Sequence, residues 1–435
     1  MPDIVIIADD LSGAADCGIV CAEVGLETVV TLGQPTYEPD VAVLAIDADT
    51  RNRTQAEAVA ETYGLVQVHA PVGRTLFRKI DSTLRGHVAA ELAATLAARR
   101  EKGPALIVLA PAFPATGRTT RDGHQHLHGV KLEHTELWQR EGMAGRARIP
   151  EMLGEVGLIA ATIGLERIRS GDLLRTAFNE ARDHDVLVFD AESQADLQVI
   201  AEAAASLGEN VIWAGSAGLA RYLPAVAAAR SMGRQPAPPV PQPALSRGRP
   251  LLFVVGSASA VSRAQIQRLS VEPGIVTVNI STKILRTGSQ NSGWIVAREM
   301  LRTALLQGKD TIVLLGGEEP VDLGEGLSLC RSLARLVAPF APFIGGLVST
   351  GGETARAVLQ AIGIDGLRLI REVETGVPLA MTESQLIGDR HAVRWDPFPV
   401  ITKAGAFGTI DTLLHCRAVL HGTAHPLPEP EANIP

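Results

Sequence analysis

The chain has 435 residues, of which 46% are hydrophobic and 20% are charged, and its formal net charge is −8. This composition is typical of a globular protein, and the length favours two domains. The acidic balance argues against non-specific binding of nucleic acids, which needs a basic surface. No apolar stretch reaches the roughly 20 residues of a membrane helix, and the N-terminus lacks the basic start of a signal peptide.

The cysteines give no sign of a metal or redox site. They lack the short paired spacing that both kinds of site require. We expect all four to be free thiols, mostly buried, in a cytoplasmic protein. They are Cys17, Cys21, Cys330 and Cys416.

Four apolar runs in the first half each predict a buried strand that ends in a polar loop and is followed by a helix. They lie within residues 4–16, 41–54, 75–86 and 105–123. Ligands of an open parallel sheet bind outside the carboxyl ends of its strands. We therefore expect these loops to meet and to bind a small anionic substrate that carries hydroxyl groups. The polar residues that they supply are Asp9, Asp10, Arg51, Arg53, Lys79, Asp81, Ser82, Arg85, Arg118 and Arg121.

The rest of the first half continues the alternation of strands and helices. Further strands are predicted within 153–163, 184–191 and 210–218, and alanine-rich helices within 87–101 and 193–208. This alternation is the signature of a parallel sheet covered by helices on both faces. The polar region 120–150 has little periodicity and is interpreted as a long loop or a small excursion.

A proline-rich segment, 231–250, has no hydrophobic period and is interpreted as a semi-rigid linker. After it, strands are predicted within 249–259, 274–280, 309–317 and 343–353, with closing strands between 367 and 408. The predicted architecture is two doubly wound α/β domains with mainly parallel sheets and an active site in the cleft between them. The predicted boundaries are 1–230 for the first domain, 231–250 for the linker, 251–425 for the second domain and 426–435 for a tail.

Asp9 and Asp10 come directly after the first predicted strand. A carboxylate there can accept a proton from a substrate hydroxyl or bind a diol. The alternative is an N-cap, because Asp stabilises a helix start by about 1 kcal/mol without any chemistry. One aspartate can act as the cap, which leaves the other for function.

The segment KIDSTLRG (79–86) places two cations, a carboxylate and two hydroxyls between a strand and a helix. Lys and Arg donors together with the N–H groups of a helix start suit a carboxylate substrate. The alternative is a solvated turn with weak internal ion pairs. Of Arg51 and Arg53, the position directly after the strand favours Arg51 as the residue that points inward.

The segment 110–123 is interpreted as a second wall of the site, a lid or a plain surface loop, and it carries Arg118. His124, His126 and His128 alternate along the chain, but no further Cys or His follows at ligand spacing. We therefore predict no dedicated metal site.

The second half contains two strand–turn–helix junctions that are rich in small residues, within 254–263 and 348–360, and a third small-residue element, 403–408, after an apolar run. Glycine lets the backbone approach a phosphate, and a helix start supplies oriented N–H groups. None of the three is a Walker A loop, and none is the GxGxxG fingerprint with a ribose-binding acid. Together they favour nucleotide phosphate binding. The segment 213–223 has a similar composition and is a candidate for the same site.

In these segments the chain resembles the four-carbon acid sugar kinases. The resemblance rests on ADDLSGAAD, DADTR, KIDSTLRG, APAFPATGRTT, GSAGLA, VVGSAS, STGGETA and KAGAFG, which run in order from residue 8 to residue 408. It implies an N-terminal domain that binds the acid sugar and a C-terminal domain that binds ATP. Ser12 stands where threonine is more usual, and Ala406 where glycine often occurs.

Carried over by position, the resemblance and the loop chemistry predict two sets of contacts. Those to the acid sugar are Asp9, Asp10, Arg51, Lys79, Ile80, Asp81, Ser82, Thr83 and Arg85. Those to the nucleotide are Ser257, Thr350, Gly351, Gly352, Glu353, Thr354, Lys403 and Gly405.

The resemblance implies a kinase that uses ATP to phosphorylate the terminal hydroxyl of threonate, erythronate or a 3-oxo-tetronate. We expect Asp10 to be the catalytic carboxylate, with Asp81 as the second candidate, and Lys79 and Arg51 to clamp the substrate carboxylate. Mg²⁺ would arrive with ATP, and a homodimer is a further expectation. The alternatives are a cytoplasmic small-acid sensor and, with less support, a dinucleotide-dependent dehydrogenase.

Overall fold

The computed structural model describes residues 2–35, 40–230, 248–256, 259–316, 325–383, 396–405 and 407–423. The chain divides into two compact units, Met1–Pro239 and Val240–Pro435. Most of the predicted linker, the predicted tail 426–435 and the predicted nucleotide contact Ser257 lie outside the described residues.

The first unit is built on a parallel sheet. The strands of this unit are β1 (Ile4–Ala8), β2 (Thr28–Leu32), β3 (Val43–Asp47), β4 (Thr75–Lys79), β5 (Leu106–Ala110), β6 (Arg118–Arg121), β7 (His124–Leu127), β8 (Val130–Lys131), β9 (Ala160–Ile163), β10 (Val186–Phe189) and β11 (Val211–Gly215). The parallel strands pair in the order β2-β3-β1-β4-β11-β5-β10-β9. β1 is fully buried, as its uninterrupted apolar sequence predicts.

Helices connect these strands. They are α1 (Leu11–Glu23), α2 (Gln55–His69), α3 (Val88–Arg100), α4 (Glu136–Arg140), α5 (Ile149–Glu155), α6 (Leu165–Arg169), α7 (Leu173–Glu180), α8 (Gln194–Ser206), α9 (Ala217–Ala220) and α10 (Leu223–Arg230). Several begin at side chains that accept hydrogen bonds from the first turn: Asp10 caps α1, and capping boxes at Thr54 and Ser193 start α2 and α8.

The register of the sheet aligns the carboxyl ends of five strands. Ala8 pairs with Asp47 on one side and with Lys79 on the other. Lys79 in turn pairs with Gly215, and Gly215 with Ala110. The loops that follow these residues therefore leave the sheet along one edge, which confirms the α/β arrangement predicted from the sequence.

The polar region 120–150 forms more regular structure than a long loop. β6, β7 and β8 pair as a small antiparallel sheet, and α4 and the start of α5 follow it. Polar contacts hold this sheet together, because Thr120 Oγ1 donates to Gln125 Oε1 over 2.8 Å and both side chains are fully buried. Its strands are short and polar, so the sequence has no apolar alternation that would predict them.

The second unit has a mixed sheet. Its strands are β12 (Leu251–Val255), β13 (Ile275–Ser281), β14 (Asp310–Gly316), β15 (Gly346–Thr350), β16 (Gly366–Glu374), β17 (Val377–Glu383) and β18 (Pro399–Lys403). Its helices are α11 (Ala260–Ser270), α12 (Thr282–Thr287), α13 (Ser292–Leu306), α14 (Gly326–Val337), α15 (Gly352–Ala361) and α16 (Thr412–His421).

The strands of this unit pair in the order β13-β14-β12-β15-β18-β17-β16. The pairs from β13 to β18 are parallel, and the closing pairs β18–β17 and β17–β16 are antiparallel. Val255 pairs with Thr350, and Thr350 with Lys403, so the loops after β12, β15 and β18 share one edge. None of the described helices is both long and apolar enough to cross a membrane.

Gly215 lies where the backbones of β11 and β5 approach closely, and the sequence GSAGLA has a packing explanation there. A Cβ at this position would lie 2.4 Å from the carbonyl oxygen of Ala110, and one at Gly218 would lie 2.5 Å from that of Ala112. These glycines let strand, turn and helix pack tightly, so their presence does not require a phosphate.

We predict that Gly215→Ala lowers the free energy of unfolding by about 1–3 kcal/mol, because backbone atoms cannot give way as a flexible side chain can. Gly64→Ala is the control: Gly64 lies inside α2 with nothing near its Cβ position, so alanine should add about 0.5–1 kcal/mol. Urea denaturation of both variants measures the difference, and equal stability of Gly215→Ala and the wild type would contradict the packing role.

Candidate functional site

A cluster of six charged side chains lies at the carboxyl ends of β1, β3 and β4. We call it the ion cluster. Its members are Asp9, Asp10, Arg51, Lys79, Asp81 and Arg85.

Arg51 lies at the centre of the ion cluster. Its Nε donates to Asp9 Oδ2 over 2.8 Å and its Nη1 to Asp10 Oδ2 over 2.9 Å, while Nη2 lies 3.6 Å from Asp81 Oδ1. Its side chain is 15% exposed. Arg53 points elsewhere and pairs with Glu61 over 3.2 Å on the surface of the unit. The structure thus places Arg51 inward.

The two consecutive aspartates have different surroundings. Asp10 is the N-cap of α1, where its Oδ1 accepts a hydrogen bond from the Gly13 amide over 2.9 Å, and its side chain is 20% exposed. The side chain of Asp9 is only 3% exposed, and its Oδ1 is buried without a hydrogen-bond partner in the described part of the chain. The pair therefore divides as the sequence suggested: Asp10 caps the helix, and Asp9 is buried inside the ion cluster.

Gly13 explains how Lys79 fits beside these carboxylates. A Cβ at position 13 would lie 2.8 Å from Asp10 Oδ1 and 3.0 Å from Lys79 Nζ. The ammonium and the carboxylate therefore both occupy the space that a side chain on α1 would need. Lys79 is 5% exposed at the end of β4.

Asp81 organises the loop that follows β4. It accepts a bidentate pair of hydrogen bonds from Arg85, 2.8 Å from Nε and 2.9 Å from Nη2, and it also accepts from the Thr83 hydroxyl. The Ile80 amide donates to the Gly215 carbonyl over 2.9 Å, and Gln125 donates to the Ser82 carbonyl over 2.7 Å. The loop is thus fixed from both sides.

The charges in the ion cluster stabilise one another. Burial alone would raise the pKa of Asp81. The charges of Arg85 and Arg51 outweigh this effect and hold the pKa well below its usual range. Burial also raises the pKa of Asp9, and Arg51 and Lys79 outweigh that effect. Asp16, on the next turns of α1, differs, because burial raises its pKa to about 6 despite Lys79 and Arg221.

Besides the ion cluster, a fully buried ion pair lies next to the backbone that carries Arg51. Arg78 Nη2 lies 2.6 Å from Glu91 Oε1, and both side chains are at most 2% exposed. Glu91 Oε1 also accepts from Thr50 Oγ1 over 2.5 Å, directly before Arg51 in the chain. Removing one partner of such a pair leaves an uncompensated buried charge, which is strongly destabilising. The pair thereby fixes the backbone that presents Arg51.

In the second unit, the loop after β18 is held by its carbonyl oxygens. Lys403 Nζ lies 3.1 Å from the oxygens of Ala404 and Phe407 and 3.3 Å from that of Gly405. Ser259 and Ser262 both donate to the Gly405 oxygen, over 2.7 and 2.8 Å. Burial lowers the pKa of Lys403 to about 8. Lys403 is 1% exposed, and its ammonium faces its own loop.

The STGGETA segment forms the turn between β15 and α15. Gly351 has a φ of +95°, which residues other than glycine rarely adopt. Its amide donates to the Lys403 carbonyl over 2.8 Å. Gly256 allows a close approach, because a Cβ there would lie 1.9 Å from Thr354 Oγ1. Thr354 contacts Cys330 Sγ over 3.3 Å, and Thr350 Oγ1 is buried without a partner in the described part of the chain. The turn leads into Gly352 and Glu353, the first residues of α15.

Known proteins match this chain along nearly its whole length. A family model described as a sugar-binding N-terminal domain matches residues 4–223, and one described as a nucleotide-binding C-terminal domain matches residues 252–413. A D-threonate kinase from Cupriavidus necator is 40% identical over 417 residues, which cover 94% of this chain and 96% of the relative. The chain belongs to the four-carbon acid sugar kinase family.

Other members of this family and its fold are more distant. A D-erythronate kinase from Heliobacterium modesticaldum is 28% identical and covers 96% of both chains. A solved structure described as a putative tRNA synthase from Salmonella typhimurium has a TM-score of 0.74 and 19% identity, covering 95% of this chain and 98% of its own. The latter likeness shows the fold alone. The family resemblance drawn from the sequence motifs is confirmed.

The sequence predicted one further cation at this edge of the sheet but did not assign it to the acid sugar. Arg118, at the start of β6, interacts electrostatically with Asp81 and Arg85. Only the structure of the small antiparallel sheet brings it to the ion cluster. In the sequence, Arg118 is marked only by its position directly after the proline-containing loop 110–117.

We predict that Arg85→Met makes the protein less sensitive to acid. In the wild type, the lowered pKa of Asp81 contributes stability above about pH 4, and this contribution is lost as pH falls below that value. Without Arg85 the pKa moves back towards its usual range, so the drop in the free energy of unfolding between pH 4 and pH 2.5 becomes smaller. Arg302→Met, which breaks an exposed pair with Glu299, is the control. Identical pH profiles for Arg85→Met and this control would contradict the assignment.

Proposed function

We propose that the protein is an ATP-dependent kinase that phosphorylates the terminal hydroxyl of a four-carbon acid sugar, with D-threonate as the first candidate. The observation that carries this proposal is the ion cluster at the carboxyl ends of β1, β3 and β4, within the residues that match a sugar-binding domain. The 40% identity to a D-threonate kinase supports the choice of substrate.

The first domain, 1–230, would bind the acid sugar. The buried, unpartnered Oδ1 of Asp9 is an acceptor for a substrate hydroxyl, because an unsatisfied buried oxygen is costly until a donor reaches it. The loop 80–85 adds backbone groups beside it, including those of Ser82 and Thr83. Three loops held by one arginine present these groups without rearrangement, which lowers the entropic cost of binding.

The second domain, 251–425, would bind ATP. The turn at Gly351 leads into the N-terminus of α15, whose oriented N–H groups suit a phosphate. Lys403 would act indirectly, because its ammonium holds the carbonyls of the loop that contains Gly405. Mg²⁺ would accompany ATP and neutralise charge on its phosphates.

Asp10 would be the general base. It is the most exposed of the three carboxylates, at 20% against 3% for Asp9 and 9% for Asp81. The terminal hydroxyl oxygen of the acid sugar bonds to the γ-phosphorus of ATP while the bond from that phosphorus to ADP breaks, and Asp10 accepts the hydroxyl proton. Asp81 is less suited, because Arg85 and Arg51 hold its pKa well below the usual range, which makes it a weak base.

A coupled assay of ADP release tests the proposal. The protein is supplied with Mg-ATP and, in turn, with D- and L-threonate, D- and L-erythronate and their 3-oxo forms. Turnover with one of them supports the kinase and identifies its substrate. ATP binding without turnover would indicate a kinase whose substrate is not one of these four-carbon acids. Acid binding with neither turnover nor ATP binding would overturn the kinase in favour of a sensor.

We predict that Asp10→Asn lowers kcat by about 10²–10⁴-fold, because the base is lost. The fold should survive, since asparagine caps a helix as well as aspartate does. Asp172→Asn is the control, at the exposed start of α7. An unchanged kcat in a folded Asp10→Asn protein would remove Asp10 from the mechanism.

A further inference from the structure

The backbone of β6 directs Arg118 towards the loop after β4. Arg118 is fixed by two hydrogen bonds with Phe113, of 2.8 and 3.2 Å, and it pairs with Leu127 of β7. Thr120 lies two residues later, so its side chain leaves the same face of the strand. That side chain contacts Gln125, which donates to the Ser82 carbonyl over 2.7 Å. The face that carries Arg118 therefore lies against the loop 80–85.

The guanidinium of Arg118 has little to bind within the protein. Its Nη1 donates to the Thr116 carbonyl over 2.6 Å. Its Nε is buried and has no hydrogen-bond partner among the residues that the structure describes, and none of their carboxylates forms an ion pair with it. Burial lowers its pKa, and the more distant Asp81 only partly opposes this effect. Its positive charge thus lacks a direct counter-ion in the described chain.

The charges of the ion cluster already balance without Arg118. Asp9, Asp10 and Asp81 face Arg51, Lys79 and Arg85, three negative against three positive groups. Arg51 in particular is opposed by all three carboxylates. The charge of Arg118 is additional, and one bound carboxylate would neutralise it. A planar guanidinium with free N–H groups also matches the geometry of a carboxylate.

We propose that Arg118 binds the carboxylate of the acid sugar and so selects acids over neutral sugars, whereas Arg51 and Lys79 hold the carboxylates of the protein in place. This inference rests on the proposed function and assigns one end of the substrate. With its carboxylate on Arg118, the acid sugar directs its hydroxyl groups to Asp9 and Asp10.

Steady-state kinetics of the full-length protein test this assignment. Arg118→Met and Arg118→Lys are compared with the wild type and with Arg121→Met. Arg121 is the matched control, because it lies on the same strand but is exposed and pairs with Glu192. Each protein is assayed with D-threonate, with the active four-carbon acid if that is another one, and with varied ATP.

We expect Arg118→Met to raise the KM for the acid sugar by about tenfold to a hundredfold, the range expected for a hydrogen bond to a charged group. The KM for ATP should stay within about twofold. Arg118→Lys should recover part of the loss, because it restores the charge but not the planar fork. Arg121→Met should match the wild type.

Three results would overturn the inference. An unchanged KM for the acid sugar in Arg118→Met would show that the residue does not bind the substrate. A fall in kcat or a rise in the KM for ATP alone would place Arg118 on the transferred phosphoryl group. A lowered thermal midpoint with equal losses in Arg118→Met and Arg118→Lys would indicate a structural role. Failure of the wild type to turn over any four-carbon acid would instead contradict the proposed function, which separates the two claims.

Discussion

One guanidinium holds the acid-sugar side of this protein together. Arg51 contacts carboxylates that follow β1 and β4 from its own position after β3, so three loops are joined through one side chain. Each of these charges would be costly to bury alone, and together they are mutually compensated. The parallel sheet supplies the condition for this arrangement, because its register aligns the ends of the three strands.

The second unit uses a related solution with a different chemical partner. There a buried lysine, Lys403, satisfies backbone carbonyls of the loop that follows its own strand, and Ser259 and Ser262 complete the set. Buried polar groups are costly when they lack hydrogen-bond partners, so the donors to the oxygens of Ala404, Gly405 and Phe407 restrict the conformation of the loop. In both units a buried cation fixes a loop at a strand end. The first unit does so through side-chain carboxylates and the second through the main chain.

The sequence predicted the parts of the fold that depend on apolar periodicity. Uninterrupted apolar runs identified β1 and β5, and the polar residues after β1 and β4 identified most of the ion cluster. It did not single out β2 (Thr28–Leu32), a short strand at the end of the described sheet order of the first unit, or the small antiparallel sheet. The small sheet is held by polar contacts, such as those of Gln125 with Thr120 and with the Ser82 carbonyl, which an apolar period cannot reveal.

Side-chain directions were the other limit of the sequence. The sequence favoured Arg51 over Arg53 as the inward residue only by its position, whereas the structure shows Arg51 inside the ion cluster and Arg53 on the surface. The sequence placed Arg118 among the polar loop residues without a role, and only the structure shows its interaction with Asp81. The glycines of GSAGLA look like phosphate-binding residues in sequence, but the close approach of backbones explains them.

The most direct test of the central claim is a calorimetric titration of the protein with D-threonate in the absence of nucleotide. We expect one saturable site in the wild type, its loss in Arg51→Met, and its retention in Arg53→Met, where the removed arginine pairs on the surface. A thermal midpoint measured alongside shows whether Arg51→Met is folded. Binding that survives in a folded Arg51→Met protein would contradict the claim that this arginine organises the acid-sugar site.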